Sequence, residues 1–363
     1  MKQAEVTPRL EIDLNKIRHN SAHLCEKLAP RGIGITGVTK VALGDPRVAT
    51  ALLQGGVTSL GDSRIRNIRK MRHGGVNAEF ILLRSPQLSR VDDVVRYVDI
   101  SLNSELDVII GLSQAAQRQR RTHRILLMVE LGDLREGIPL NELDQVIEHC
   151  LKLPNIIIEG IGTNLTCLSG VKPDSTNMGK LSDTAETLRE KYGLELKTVS
   201  GGNSSSLDWL CNTDQPGAIN NLRLGEAILL GCDPLNRQGL SDMYQNAITL
   251  VTEVIEAKVK PSVPEGQLAQ NAFGESPTFI ERGNIQRSIL DIGQQDIQLD
   301  GITPEISALD IIGASSDHLV LDSSRHPLQV GSQIRFKLSY SALLAAMTSP
   351  FVEKVFVDSP NHG

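Results

Sequence analysis

Aromatic residues are scarce in this chain: one Trp, four Tyr and six Phe make up 3% of its 363 positions. So few rings leave little for a base-stacking platform. A basic surplus is missing as well. Lys and Arg number 37 against 43 Asp and Glu, a formal net charge of −6, which argues against nucleic acid or an anionic membrane as partner. No apolar run approaches the length of a membrane span, and the opening MKQAEVTPRLEID lacks the apolar centre of a secretory signal. The five cysteines, Cys25, Cys150, Cys167, Cys211 and Cys232, are odd in number and far apart, with no CxxC or Cys/His cluster. Neither a disulfide framework nor a metal site is supported, and reduced thiols in the cytoplasm are the plain expectation. It follows that the sequons at Asn164 and Asn203 carry no weight.

What is present is an ordinary globular composition, 40% hydrophobic and 22% charged. Arg9 to Leu14 alternates like a short strand, and Asn15 to Leu28 has helical spacing. From there strands and helices alternate. The strand candidates are Ile33–Val38, Val57–Leu60, Phe80–Leu83, Val98–Leu102, Ile125–Val129, Ile156–Ile161, Leu196–Val199 and Leu222–Leu224. Pro46–Gln54, Ser104–Gln117, Leu140–Leu153 and Asp183–Tyr192 read as intervening helices. Eight such units in roughly 200 residues predict a (β/α)8 TIM barrel, with a doubly wound sheet as competitor. Near Gly231 the character changes to short β-rich runs with turn residues: Ile248–Ala257, Ser288–Ile292, Ile311–Gly313, His318–Leu321 and Gln333–Leu338. The expected organisation is an α/β barrel over 10–235 and a C-terminal all-β domain over 240–355, with residues 1–13 adding a strand to the latter. Lys260–Gly283 reads as a long loop and Asp358–Gly363 as a disordered tail.

The stretch IGITGVTKVALGDP places Lys40 at the C-terminal end of a buried strand. A lysine there is costly unless it meets an anion or is held as a neutral amine or imine. Reading the other strand ends gives Asp62-Ser63-Arg64, Arg84, Asn103, Arg135, Asn164, Gly201-Gly202-Asn203-Ser204 and Arg223. Barrels place their active residues at those ends, so a rim rich in polar and cationic groups points to an anionic small molecule. Each alone also reads as a turn or a helix cap. In VSGGNSSSLDWL a strand runs into two glycines, then into Asn and three serines opening a helix, an arrangement suited to phosphate. It falls after strand seven, where barrels bind phosphate, and RLGE at Arg223–Glu226 follows at strand eight. Gly32–Gly37 spells GxGxxG but lies inside a strand, so the dinucleotide reading is rejected. A lysine and a phosphate site on one rim suggest pyridoxal 5′-phosphate, joined to Lys40 as a Schiff base, with Arg223 facing the ring nitrogen. An arginine does not readily protonate that nitrogen, which weakens the electron sink and favours racemisation.

On EIDLNKIRHN, GVTKVALGDP, SLNSELD, LMVELGDLREGI, GIGTNLTC, SGGNSSSL, LRLGEAILLG, LDIGQQD, IIGASSDHLVLD and FKLSYSALLAAMTSP, the chain resembles the fold-type III pyridoxal-phosphate enzymes of the alanine racemase superfamily. Within that group it most resembles the ornithine racemase branch. The resemblance implies an isomerase that exchanges the Cα proton of an amino acid with two bases, in a cytoplasmic homodimer with sites at the interface. It implies Lys40 as cofactor lysine and first base. Asn203, Ser204, Gly225, Glu226 and the Tyr340 hydroxyl fall on the phosphate side, Arg223 on the pyridine nitrogen, and Asn164 where a cofactor-contacting histidine is usual. Arg135 falls near the cofactor hydroxyl and substrate carboxylate, and Ser316 and Asp317 where the partner subunit binds that carboxylate. Three departures stand out: Met128 replaces the lysine that becomes carbamylated, Asn164 replaces histidine, and Gly293-Gln294 replaces the glycine-tyrosine pair of the second base. Glutamine does not exchange a proton at neutral pH, which leaves His318 and Asp296 as candidates. The missing tyrosine, with Glu226 and Asp317 nearby in the motifs, favours a basic substrate such as ornithine. Racemisation of alanine or serine, a non-catalytic pyridoxal-phosphate carrier, and a metal-assisted aldolase or dehydratase are the competing readings.

Overall fold

Eight short and mostly buried runs, each followed by a helix, close on themselves as a parallel barrel. The computed structural model describes residues 6–358. After β1 (Arg9–Asp13) and the helix Leu14–Leu28 come the barrel strands β2 (Gly34–Val38), β3 (Ser59–Asp62), β4 (Phe80–Leu82), β5 (Ile100–Asn103), β6 (His123–Met128), β7 (Ile156–Gly162), β8 (Thr198–Ser200) and β9 (Asn221–Leu224). Each pairs with the next in parallel, and β9 returns to β2 with Asn221 opposite Gly34 and Leu224 opposite Gly37. Closure settles the fold as a (β/α)8 barrel over a doubly wound sheet. The strands β3, β5 and β8 begin two residues later than the apolar pattern suggests, because ladder pairing and not hydrophobicity sets where a strand starts. Ile81, Ile100, Leu102, Leu126 and Met128 form one buried apolar cluster with Leu83 against it. Gly32 caps a short helical turn and Gly34 opens β2, so the GxGxxG spelling spans a turn and a strand.

The chain divides into two compact units, Asn15–Tyr244 holding the barrel, and the segments up to Leu14 and from Gln245 onward holding the other. The second unit is a sheet of β10 (Ile248–Pro261), β11 (Asn284–Leu290), β12 (Ile302–Pro304), β13 (Asp310–Ala314), β14 (Leu319–Asp322), β15 (Gln333–Leu338) and β16 (Glu353–Val357). Its order is β12-β15-β10-β11-β14-β13, and β1 lies between β10, antiparallel, and β16, parallel. This sheet unit also carries a helix, Tyr340–Thr348, begun by Ser339, whose Oγ accepts from the Ala342 N–H. Between β10 and β11 the expected loop runs from Ser262 to Gly283 without regular structure beyond a turn at Asn271–Gly274. All of the Asp358–Gly363 tail except Asp358 lies outside the described residues.

Candidate active site

Lys40 opens a helical turn, Lys40–Ala42, directly after β2. That turn is fixed from both sides. The Thr39 hydroxyl donates to Asp62 Oδ2 at 2.8 Å, while Asp62 Oδ1 accepts from the Arg64 N–H at 2.9 Å and Asn67 Nδ2 at 3.0 Å. Asp62 is fully buried, and its burial raises its carboxyl above the ordinary range against those hydrogen bonds and the charge of Lys40. Gly44 has φ +59, and a Cβ there would stand 2.6 Å from the Asn67 Cβ. Glycine lets the lysine turn lie this close to the helix Ile65–His73 that follows β3.

Opposite in sequence but adjacent at the β2–β9 seam, β8 and β9 end in two turns that face each other. Gly202 (φ +109) bends the first, and a Cβ there would be 2.8 Å from Ser206 Oγ. Asn203 braces this loop: Nδ2 donates to Leu165 O (2.9 Å), Asn164 Oδ1 (3.2 Å) and Cys167 Sγ (3.4 Å), and Oδ1 accepts from the Ser205 N–H (2.8 Å). Buried Ser204 accepts from the Ala227 N–H at 3.2 Å, which joins the two turns. Among the described residues, the N–H groups of Ser204, Gly225 and Glu226 donate to no protein atom, and the buried Asn164 Nδ2 has no hydrogen-bond partner. Several donors left unmet on one rim fit an anionic, oxygen-rich ligand.

Arg223 is 6% exposed. Nη1 donates to Ser200 Oγ at 2.6 Å and Nη2 to Thr163 O at 2.8 Å, and burial brings its guanidinium down to about 10, still protonated at neutral pH. Ser200 and Thr163 were absent from the sequence-derived candidates. A signal was available for Ser200, a polar residue in a buried strand end where an unpartnered hydroxyl is costly; Thr163 meets Arg223 through its backbone carbonyl, its hydroxyl donating to Val129 O, and no side-chain pattern records that contact. Arg135 pairs with Glu136 through two contacts. Burial raises the Glu226 carboxyl, and Arg237, 2.5 Å away, opposes this. Glu226 thus already has a cation, which weakens it as a receptor for a basic substrate. Met128, which stands where the resembled family carries a lysine, belongs to the apolar cluster, so its position carries no charge.

The remaining candidates lie in the sheet unit. Gln294 and Gln295 N–H groups donate to Ser315 O and Ser316 O, both at 2.9 Å, so Gly293-Gln294 and Ser316-Asp317-His318 form one loop cluster. A Cβ on Gly293 would sit 2.3 Å from the Asp317 N. His318 Nδ1 lies 2.9 Å from Asp317 Oδ1, and that hydrogen bond holds the Asp317 carboxyl below its ordinary range. The His318 side chain is 47% exposed. Asp296 is buried and accepts from Ser349 Oγ at 2.5 Å. Tyr340 is the first residue of the Tyr340–Thr348 helix.

A closed parallel barrel with a lysine turn after its first strand and unmet donors after its last two suits a phosphate-bearing cofactor held at one rim. The family model "Alanine racemase, N-terminal domain" matches residues 12–233, and the chain belongs to the alanine racemase family. It is 41% identical to a lysine racemase of Thermotoga maritima, covering 98% of this chain and 99% of that one. It is 40% identical to an ornithine racemase of Acetoanaerobium sticklandii, covering 96% and 99%. Among solved structures, the alanine racemase from Streptomyces coelicolor superposes with a TM-score of 0.77 at 16% identity, covering 97% of this chain and 98% of that one. The alanine racemase from Bartonella henselae with covalently bound pyridoxal phosphate gives 0.74 at 16% identity, covering 97% and 100%. At that identity the structural likeness speaks to fold. The protein is an amino-acid racemase that uses pyridoxal phosphate, and the unmet donors of its barrel rim fit that cofactor.

Proposed function

We propose that this enzyme interconverts the L and D forms of a dibasic amino acid, ornithine or lysine. The observation that carries the reading is full-length similarity to two racemases named for those substrates, at 41% and 40% identity. Alanine is the second reading, favoured by the names of the structural neighbours, whose identities of 16–19% weigh much less.

Pyridoxal phosphate, when bound, withdraws electrons from the Cα of an amino acid attached to it and so acidifies the Cα–H. Lys40 would hold the cofactor and move the proton on one face of Cα. The N–H groups of Ser204, Gly225 and Glu226 would hold its phosphate, with Asn203 bracing the loop that presents them. Asn164 Nδ2 would donate to the cofactor, and Arg223, fixed by Ser200 and Thr163 before any ligand arrives, would face the ring nitrogen. Arg135 would bind the substrate carboxylate. On the opposite face His318 is the better base: it is half exposed, and an imidazole nitrogen can both take up and give back a proton. Asp296 is buried on Ser349, which suits a brace for its loop. By resemblance, Ser316, Asp317 and His318 would come from a second copy of the chain, and Tyr340 would lie on the phosphate.

Incubation in D2O with added pyridoxal phosphate tests this directly. L-ornithine, L-lysine, L-alanine and L-serine are followed by NMR and chiral chromatography. Cα deuteration with inversion of ornithine or lysine, lost in Lys40→Ala, is the expected result. Faster turnover of alanine than of either dibasic substrate overturns the assignment.

A further inference from the structure

We infer that Glu136 receives the side-chain ammonium of the substrate, by exchanging ion pairs with Arg135; this rests on the dibasic reading above. The loop that follows β6 is closed at its base, the Glu130 N–H donating to Ile138 O at 3.0 Å and the Ile138 N–H to Met128 O at 2.7 Å. It carries Arg135 and Glu136 side by side, and their side chains satisfy each other through Nε and Nη2 on the two carboxylate oxygens. Glu136 is turned largely away from water, with its side chain 24% exposed. Its charge favours the protonated form of buried Arg223, which that of Arg135 opposes. One carboxylate thus serves two guanidinium groups of the barrel rim.

Four other carboxylates of the barrel rim are committed to groups that a substrate does not replace. Asp62 is held by Thr39, Arg64 and Asn67. Glu130 accepts from the N–H groups of Gly132 and Leu134, and Asp133 from those of Leu168 and Ser169. Glu226 has Arg237. Glu136 differs because its cation is the one assigned to the substrate carboxylate. When Arg135 turns to that carboxylate, Glu136 is left without a partner in a mostly enclosed place. A substrate ending in an ammonium group restores the pair, so two ion pairs, Arg135 with the carboxylate and Glu136 with the ammonium, stand where one stood. A neutral side chain of the same length strands the carboxylate. Such a site selects by the cost of the wrong ligand as much as by contact with the right one.

The test compares ornithine with norvaline, which has the same carbon chain and no terminal amine, and also with lysine. In Glu136→Gln holoenzyme the ratio of kcat/KM for ornithine over norvaline should fall about tenfold or more. Binding of the two ligands to holoenzyme whose cofactor has been fixed by borohydride reduction should lose the same preference without any turnover. Glu136→Asp, one methylene shorter, should shift preference from ornithine toward lysine, and it serves where the glutamine variant does not fold. A wild-type enzyme inactive on both dibasic substrates defeats the substrate reading and this assignment with it. An active wild type whose preference survives E136Q and E136D, or collapses in Glu226→Gln instead, defeats the assignment of Glu136 alone.

Discussion

At the scale of single residues, the barrel holds charge in buried positions by prior commitment. Arg223 loses water but keeps two acceptors, so its direction is set before a ligand binds. Replacing Ser200 by Ala removes one acceptor of a buried guanidinium and should cost about 1–3 kcal/mol in urea unfolding, with weaker retention of the cofactor on dialysis. His123 illustrates the opposite solution. It is 1% exposed, 2.8 Å from Ser101 Oγ, and burial beside Arg124 brings its imidazole down to about 4, so it is folded in neutral. An unfolded histidine titrates near 6.5, so as pH falls the unfolded chain takes up this proton first. The stabilisation is therefore complete at pH 7 and is lost between about 6.5 and about 4, to the extent of about 3 kcal/mol. Denaturation of His123→Gln across that range should show a flatter acid limb than wild type; an identical slope refutes the account.

At the scale of elements, turns decide what strands present. Lys40 is useful only because Leu43 and Gly44 both adopt left-handed backbone and fold the turn onto Asn67. Gly44→Ala combines an unfavourable φ with a 2.6 Å approach to the Asn67 Cβ. It should lower stability by about 1–3 kcal/mol and weaken cofactor loading, read as Tm and as cofactor absorbance on titration. The 18-residue helix Ser175–Tyr192 begins with a capping box, Asp174 accepting from Asn177 N–H and Asn177 Oδ1 accepting from Asp174 N–H. Asp174→Ala should cost about 1 kcal/mol by thermal unfolding without moving the racemisation rate. The sequence read this helix as starting at Asp183, because its first two turns are polar on most sides and hide the period that marks a buried face. The helix Tyr340–Thr348 was passed over for the opposite reason: it is apolar nearly all round, and a short apolar run does not distinguish helix from strand.

At the scale of the whole molecule, the proposed chemistry needs groups from two units, Lys40 on the barrel and His318 on the sheet. If His318 acts from a second copy of the chain, two inactive proteins should repair each other. Mixing Lys40→Ala with His318→Gln under conditions of subunit exchange should restore about one quarter of wild-type activity, since half the dimers are hybrids and each hybrid has one intact site. Recovery of nothing, with exchange demonstrated by a tag, would refute the action of His318 from a second copy and assign it to the site of its own chain. No helix among the described residues is long and apolar enough to cross a membrane.

What the sequence determined by itself was whatever repeats or punctuates. The eight barrel strands were legible because parallel strands are buried on both faces and read as apolar runs. The rim was legible because glycines and polar residues cluster where a strand gives way to a turn, and Lys40, Asn203, Ser204 and Arg223 all fall there. Tertiary structure decided everything that depends on which rim groups meet. That Glu226 is spoken for by Arg237, that Arg135 faces Glu136, and that Ser200 and Thr163 aim Arg223 are pairings set by barrel closure and by two loop conformations. Ser200 and Arg223 are far apart along the chain, and no local spacing records such a contact. Hydrophobic period is a property of neighbours in sequence, whereas the partner of a buried charge is a property of neighbours in space.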